Sequence, residues 1–338
     1  MPTAGARLGR HRRIFLLGAT GTIGRATVRE LVRRGQDVVC FLRASARVGG
    51  TLGHHDAARQ LAGATIRYGE VQDPGSLRKD GFRGERFDAL VSCMASRTGA
   101  PRDAWAIDHQ ANLHAFEAAR NAGVSHTVLL SAICVQKPRL AFQHAKLACE
   151  KNLAESGMAY SIVRPTAFFK SLSGQFERVK QGKPYLVFGD GTLTACKPIS
   201  DEDLAEYLAD CLDDEGRRNR VLPIGGPGAA VTPRQQGERL FELLGRPPRF
   251  RHVPVALLDG VIGALATAAR LVPALSAKAE LARIGRYYAT ESMLVLNPTT
   301  GRYDAAATPT TGTKTLFDYY ASLVSGAATP ERGEHAVY

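Results

Sequence analysis

The chain lacks the cysteine pattern of a disulfide-stabilised or zinc-binding protein. Its 338 residues hold six cysteines, which are Cys40, Cys93, Cys134, Cys149, Cys196 and Cys211. No two of them have the spacing of metal ligands, and the neighbouring His54 and His55 have no companion ligands either. Several cysteines lie in apolar runs, where the residue packs as a small hydrophobic side chain. We therefore expect no metal site, no disulfide framework and a reducing compartment.

The chain also lacks an uninterrupted apolar run long enough to cross a membrane. Its most apolar stretch, residues 253–275, is broken by Asp259, Arg270 and Pro273. We predict a core helix there, with a helix lying at a membrane surface as the alternative. The N-terminus has basic residues but no apolar segment of a secretory signal. These features predict a cytoplasmic protein whose contact with a membrane is at most peripheral.

Acidic residues are the minority, with 32 Asp and Glu against 44 Lys and Arg, so that the net charge is +12. This balance favours acidic partners, including anionic lipid or a negatively charged cofactor and substrate. There is no basic run with interleaved aromatic residues, so a nucleic-acid partner is not expected. The oligomeric state is left open by the sequence.

The most informative motif is a glycine-rich turn after a buried strand. Residues 14–17 are apolar, and Gly18, Gly21 and Gly24 follow at a spacing of three before a helix at 25–34. In a dinucleotide-binding unit, the first two glycines let the backbone approach a pyrophosphate and the third lets the helix lie close to the strand. The turn also contains Thr20, Thr22 and Ile23, which are predicted cofactor contacts because the first amides of the helix face the phosphates.

The end of the second strand indicates which nicotinamide cofactor is used. NAD-binding units usually end this strand with an acidic residue that holds the ribose 2′-hydroxyl. Here the apolar run that begins at Asp37 ends at Arg43, and Ser45 and Arg47 follow closely. A guanidinium suits a 2′-phosphate, so the cofactor is predicted to be NADPH.

Strand and helix patterns alternate through the first half of the chain. Further strands are predicted at residues 65–71, 87–94, 127–131 and 160–164, with helices at 104–122 and 143–156. This alternation predicts an α/β fold, a doubly wound parallel Rossmann sheet with a smaller C-terminal substrate-binding region. The expected divisions are a basic tail at 1–12, an NADP-binding domain at 13–170, a substrate-binding region at 171–328 packed on the same core, and a tail at 329–338.

Reacting groups are expected at the carboxyl ends of the strands, where doubly wound sheets bind their ligands. Lys146 lies on the helix after the fifth strand, where it can hold the nicotinamide ribose. The other predicted cofactor contacts in this part of the chain are Val71, Ala95, Ser96, Ser131 and Phe168.

The first 170 residues resemble the short-chain dehydrogenase/reductase superfamily in its atypical, NmrA-like branch. That superfamily usually carries a Tyr-x-x-x-Lys pair after the fifth strand, and the matching segment here runs from Phe142 to Lys146. The lysine is retained and the tyrosine is replaced by phenylalanine. The resemblance therefore implies a bound NADP without the phenolic proton relay that alcohol–carbonyl exchange needs.

Several strings further along the chain are similar, in order, to the NADPH-dependent divinyl chlorophyllide a 8-vinyl-reductase family. They lie at residues 130–138, 163–172, 188–191, 195–200, 222–228 and 284–293. The resemblance implies reduction of the 8-vinyl group of divinyl chlorophyllide a to ethyl, in chlorophyll or bacteriochlorophyll biosynthesis. The substrate-binding residues it implies are Phe142, Phe169, Lys170 and Lys197, the lysines as anchors for the propionate. Two alternatives remain open, an NADP-binding sensor and a non-catalytic subunit of a respiratory complex.

The proton donor for such a reduction is not specified by the sequence. Lys146 is the first candidate for a catalytic role, and Cys134 and His144 are weaker ones, together with ordered water. Cys134 follows the fifth strand, and the usual pKa of a histidine suits proton transfer near neutral pH.

Overall fold

The computed structural model describes residues 10–43, 47–48, 51–52, 54–272 and 275–329. The strands, numbered along the chain, are β1 Arg13–Leu17, β2 Asp37–Leu42, β3 Arg47–Val48, β4 Thr51–Leu52, β5 Thr65–Tyr68, β6 Ala89–Ser92, β7 His126–Leu130, β8 Ala159–Pro165, β9 Tyr185–Phe188, β10 Arg220–Ile224, β11 Phe250–Val253, β12 Val295–Leu296 and β13 Tyr303–Asp304. The α-helices are α1 Thr22–Arg33, α2 His54–Gln60, α3 Pro74–Ser76, α4 Pro101–Ala104, α5 Asn112–Asn121, α6 Ala141–Ala154, α7 Phe169–Leu172, α8 Phe176–Lys180, α9 Asp201–Asp210, α10 Pro233–Leu243, α11 Val255–Ala268, α12 Ser276–Thr290 and α13 Leu316–Ser325.

A seven-stranded parallel sheet organises the first two thirds of the chain. Its strand order is β10-β8-β7-β6-β1-β2-β5, with β1 between β2 and β6. The direction of winding reverses at β1, so the glycine turn that follows this strand opens at the carboxyl edge of the sheet. The predicted doubly wound Rossmann fold is confirmed, with all six predicted strands in the sheet.

The seventh strand was not predicted. β10 lies at the edge of the sheet, and its Val221 pairs with Ile162 of β8. The strand contains Pro223, which cannot donate a ladder hydrogen bond and argues against a central strand. An edge strand tolerates the proline. Because β10 belongs to the sheet, the sheet includes residues beyond 170.

Two apolar layers hold the sheet between helices. On one face, Val28 of α1 and Leu208 of α9 pack on residues such as Cys40. On the other face, Phe116 of α5 and Leu153 of α6 pack on residues such as Phe15. Strands covered on both faces are expected to be continuously apolar, as the fully buried residues of β1 are.

The chain beyond the sheet forms a further core and closes over the carboxyl edge. Phe176, Tyr185, Phe241 and Tyr320 are the large buried side chains of this core. The parallel pair β9–β11 runs through it. A smaller cluster, which includes Cys134 and Tyr287, joins α12 to the end of β7, so α12 is held against the sheet edge.

The prediction of a core helix within residues 253–275 is wrong. This stretch forms α11, and none of its residues is buried. Leu257 is 58% exposed and Val261 is 42% exposed, while Leu271 just beyond the helix is 87% exposed. The sequence shows how apolar the segment is but not whether another element covers it, and here α12 packs against it while its apolar side chains stay exposed.

All six cysteines are free and buried, and those in apolar runs pack as small apolar side chains, as predicted. Burial raises the pKa of the thiols of Cys40, Cys93, Cys149 and Cys196 to about 12, so these side chains are neutral and pack as apolar groups.

Candidate active site

A cavity of about 400 Å³ opens at the carboxyl ends of β6, β7 and β8. Side chains of the sheet edge line one side, and the region after residue 170 lines the other. The predicted substrate contact Phe142 is part of this lining, and so are five predicted cofactor contacts that follow strands or lie on α6. They are Ala95, Ser96, Ser131, Lys146 and Phe168. Most of the wall is apolar, which suits a large, flat ligand with few polar anchors.

The glycine turn beside this cavity is packed so closely that two of its glycines are required by the fold. Gly18 has a φ of +79°, and a Cβ there would lie 2.5 Å from the backbone of Cys93. A Cβ on Gly24 would lie 2.1 Å from the carbonyl oxygen of Gly18. Gly24 therefore lets α1 approach β1, which is the role predicted for the third glycine.

Gly21 differs from its two neighbours, because the protein itself leaves room for a side chain there. The nearest atom to a Cβ on Gly21 would be 3.5 Å away, and its φ of −73° suits any residue. No side chain of the described residues caps the first turn of α1 at this point. Free amides at a helix start and an open approach fit the pyrophosphate of a dinucleotide.

Lys170 is placed at the cofactor turn rather than in the predicted propionate site. Its Nζ donates a 2.7 Å hydrogen bond to Oγ1 of Thr22, the first residue of α1. Lys170 does not line the cavity. The ammonium group thus adds positive charge where the phosphates of the cofactor would lie.

The residues predicted around the adenosine ribose are partly described. Arg43 follows directly after β2 and is exposed. Ser45 lies outside the described residues, and of Arg47 only the backbone, in β3, is described. Val71 and Ile23 have their side chains in the two cores, so their contact with a cofactor would come from the backbone.

Lys146 is held by a buried carboxylate on the helical segment Trp105–Ala111, which leads into α5 and packs on α6. Its Nζ lies 2.9 Å from Oδ1 of Asp108, whose side chain is 1% exposed, and the same oxygen accepts from the backbone of Ser96 at 3.2 Å. Burial alone would lower the pKa of Lys146, but the charge and hydrogen bond of Asp108 raise it overall. The lysine is therefore a fixed cation at the cavity wall.

Ser131 belongs to a second buried polar network. Its hydroxyl donates to Glu150 of α6, and Glu150 also accepts two hydrogen bonds from Arg164 of β8. Glu150 lies one helical turn after Lys146, so both networks are built on the same face of α6. The Ser131–Glu150–Arg164 network ties the carboxyl end of β7 to β8 and to α6 at the cavity wall.

Phe142 lies where a short-chain dehydrogenase carries its tyrosine, and α12 covers it. A Cβ on Gly99 would meet both Phe142 and Ile284, at 3.7 and 2.8 Å. Both side chains line the cavity, so the predicted contact of Phe142 with the substrate pocket agrees with its position.

Three other predicted site residues do not reach the cavity. Phe169 is 6% exposed and stacks on Tyr319 in the C-terminal core. Lys197 donates a 3.0 Å hydrogen bond to the backbone of Thr308. His144 is exposed on the outer side of α6. Whether such a side chain points into the cavity depends on which face of its helix or strand carries it. The position of one residue after a strand end does not reveal that face.

Cys134 does line the cavity but is 2% exposed. Burial raises the pKa of its thiol, with only partial compensation by neighbouring hydrogen bonds.

Two further cavity residues were missed from the sequence. Asp108 had a detectable signal, because it shares a helical stripe with the buried Ala104 and Asn112, and a carboxylate in such a stripe needs a partner. Tyr288 shares a face of α12 with Leu281 and Ile284. Nothing local linked that face to the end of β7, about 150 residues earlier in the chain.

Comparisons with known proteins agree with this geometry. A family model described as NAD(P)H-binding matches residues 18–215. The chain is 50% identical over 331 residues to "Divinyl chlorophyllide a 8-vinyl-reductase, chloroplastic" of Oryza sativa subsp. indica, covering 96% of this chain and 82% of the relative. It is also 50% identical to the protein of the same name from Cucumis sativus, covering 96% and 79%.

Among solved structures, the fold is similar to an NADPH-dependent quinone oxidoreductase of Escherichia coli complexed with NADPH. The TM-score is 0.64 at 19% identity, and the match covers 93% of this chain and 99% of the other. At this identity the likeness concerns the fold, and it extends through the region after residue 170.

Proposed function

The chain belongs to the NAD(P)H-binding family and, within it, to the divinyl chlorophyllide a 8-vinyl-reductases, and we propose that it reduces the 8-vinyl group of divinyl chlorophyllide a to ethyl. It is an oxidoreductase with a Rossmann fold and uses NADPH. The observation that carries the proposal is the apolar cavity between the carboxyl edge of the sheet, where Lys146 lies, and the C-terminal region.

The cofactor supplies a hydride when it is bound along the carboxyl edge of the sheet. The glycine turn, the first amides of α1 and Lys170 would hold its phosphates. Lys146, oriented by Asp108, would hold the nicotinamide ribose next to Ser131. Since Phe142 replaces the usual tyrosine, the site is suited to reducing a carbon–carbon double bond and not to interconverting an alcohol and a ketone.

The substrate would lie between the sheet edge and the region proposed to bind it, residues 171–328. That region contributes apolar walls from several separate segments, for example Val187, Val231 and Ile284. A flat macrocycle needs such walls on two sides, with few hydrogen bonds to fix its orientation. This arrangement supports the proposed division into a cofactor-binding part at 13–170 and a substrate-binding part after it.

Turnover of the substrate tests the proposed function directly. Purified protein is mixed with NADPH and divinyl chlorophyllide a, and the products are separated by chromatography. Conversion to the monovinyl pigment is expected, with one NADPH consumed for each vinyl group reduced. Binding of NADPH without turnover would favour the sensor or the non-catalytic subunit instead.

The preference for NADPH is expected to depend on Arg43. Replacing it by aspartate removes the cation at the end of β2 and places a carboxylate beside the 2′-phosphate. NADPH binding should weaken by about 10- to 150-fold, the equivalent of one charge-assisted hydrogen bond of roughly 1.5–3 kcal/mol, and NADH binding should change far less. Titration of both cofactors measures this.

A matched charge change elsewhere controls for the net charge of the protein. Arg220 is exposed at the amino end of β10, at the opposite edge of the sheet. Arg220→Asp should leave both affinities unchanged. Equal losses for NADPH and NADH in Arg43→Asp would contradict the assignment.

We also propose that the protein works in a compartment that keeps thiols reduced, such as the cytoplasm, and touches an anionic membrane surface through α11. The only charged residue of this exposed helix, Asp259, is neutralised by an ion pair with Arg286 of α12. Exposed Arg249 and Arg251 precede the helix and exposed Arg270 follows it, which suits anionic headgroups. Among the described residues, no helix is both long and apolar enough to span a bilayer.

A negative charge introduced on the exposed face of α11 should weaken membrane binding. Val261→Glu is expected to weaken binding to vesicles of phosphatidylcholine and phosphatidylglycerol about tenfold or more, because a buried valine contributes roughly 1.5–3 kcal/mol. Val221→Glu is the control, since Val221 is also 42% exposed but lies on β10. Sedimentation with vesicles measures the effect. Unchanged vesicle binding, or a loss of self-association instead, would contradict a membrane partner.

A further inference from the structure

Tyr288 lines the cavity, although it was not among the site residues predicted from the sequence. It lies on α12 and is 41% exposed. Its hydroxyl donates to Sγ of Cys134 at 3.8 Å, and sulfur is a weak acceptor. We propose that the hydroxyl of Tyr288 donates the proton that completes reduction of the vinyl group, an assignment that rests on the proposed function.

The acidic and cationic side chains of the cavity are already engaged in ion pairs or hydrogen bonds. Asp108 and Lys146 form an ion pair with each other. Burial alone would raise the pKa of Glu291, but hydrogen bonds from Lys137 and Tyr303 lower it overall, so this carboxylate carries no proton to donate.

The remaining ionisable groups of the lining are less accessible than Tyr288. Tyr185 is 3% exposed, and its hydroxyl faces the side chain of Gln236 at 3.5 Å. Cys134 and Cys196 are 2% and 6% exposed. Among these ionisable groups of the described lining, Tyr288 therefore has the largest accessible surface.

Tyr288 lines the same cavity as the phenylalanine at position 142. Ile284, one turn earlier on the same face of α12, lies in the same cluster as Phe142 and Cys134. The helix after residue 275 thus places a phenol next to the place where the superfamily carries one on α6.

The step balances as follows. The vinyl group gains a hydride at its terminal carbon, and the electron pair of the double bond moves onto the inner carbon and into the macrocycle. The O–H bond of Tyr288 breaks, and its proton forms the new C–H bond at the inner carbon. The vinyl group is reduced to ethyl while NADPH is oxidised to NADP⁺, and the phenolate regains a proton from water.

Tyr288→Phe tests the proposal with little change in shape. The kcat should fall by about 10²-fold or more, which is the usual contribution of a general acid, while the Kd values for NADPH and for the pigment stay within about threefold. The solvent deuterium isotope effect on kcat should increase and the isotope effect of deuterated NADPH should decrease, because protonation becomes rate-limiting. A merely structural role would not exchange the two isotope effects.

Tyr287→Phe provides the neighbouring control. The Tyr287 hydroxyl donates to the backbone of Cys134 and Lys137 at 2.9 and 3.0 Å, and the residue does not line the cavity. This variant should lose stability but retain both isotope effects. Near-normal kcat in Tyr288→Phe, or a loss of kcat with unchanged isotope effects, would overturn the assignment while the reductase activity stands. No turnover by the wild-type protein would overturn the proposed function itself.

Discussion

Lys146→Ala is expected to abolish most of the reductase activity and to weaken NADPH binding. The lysine is the fixed cation of the cavity wall, and removing one preorganised donor typically costs about 10²–10³-fold in kcat. The Kd for NADPH should rise about tenfold or more with loss of a charge-assisted hydrogen bond to the ribose. Steady-state kinetics and a direct binding titration measure the two effects separately.

The same substitution leaves Asp108 buried without its partner, so stability must be separated from function. An uncompensated buried charge costs about 3–5 kcal/mol. The double variant Lys146→Met and Asp108→Asn removes both charges, and it should recover most of the stability without recovering turnover. Lys151→Ala, on the exposed side of the same helix, should change neither. Turnover within tenfold of wild type in Lys146→Ala would contradict a role at the cofactor.

The parts of the fold that local chemistry controls could be predicted from the sequence. Apolar runs of strand length, separated by helical patterns, determine a parallel sheet with a right-handed crossover at each step. The glycine turn was recognisable because Gly18 and Gly24 serve local packing between β1, β6 and α1. Residues directly after the strands, such as Ser96 and Ser131, then lie at the cavity because parallel strands share one carboxyl edge.

Side-chain partners from distant segments could not be predicted in the same way. Lys170 was predicted as an anchor for the substrate propionate, but its Nζ reaches across to Thr22. Tyr288 becomes part of the site only because α12 folds back over the end of β7. Such contacts depend on how the chain after residue 170 packs, and no periodicity in the sequence encodes that packing.

The error at α11 has the same origin. The residues of α11 are apolar enough for a core helix. An exposed helix is recognised in a sequence by its polar face, so hydropathy cannot identify an exposed helix that lacks one. Its one charged residue, Asp259, lies against Arg286 of α12, so the helix has no charged outer face that would have revealed its exposure.

Gly24→Ala is expected to destabilise the whole cofactor-binding part of the protein. The new Cβ would lie 2.1 Å from the carbonyl oxygen of Gly18 and 2.8 Å from its carbonyl carbon. Both atoms belong to a backbone turn that is itself held against Cys93, so α1 must move away from β1. The free energy of unfolding should fall by about 3 kcal/mol, the upper end of the cost of overpacking, despite the better helix propensity of alanine. Chemical denaturation without cofactor measures this loss.

Gly21→Ala is the matched variant, because the same methyl group meets no protein atom closer than 3.5 Å. Its free energy of unfolding should stay within about 0.5 kcal/mol of wild type, since the backbone conformation suits alanine. NADPH binding should nevertheless weaken at least about tenfold, because the methyl group would occupy the approach of the phosphates. The two glycines thus separate a packing requirement from a binding requirement within one turn. Wild-type stability in Gly24→Ala, or unchanged NADPH affinity in Gly21→Ala, would contradict this division of roles.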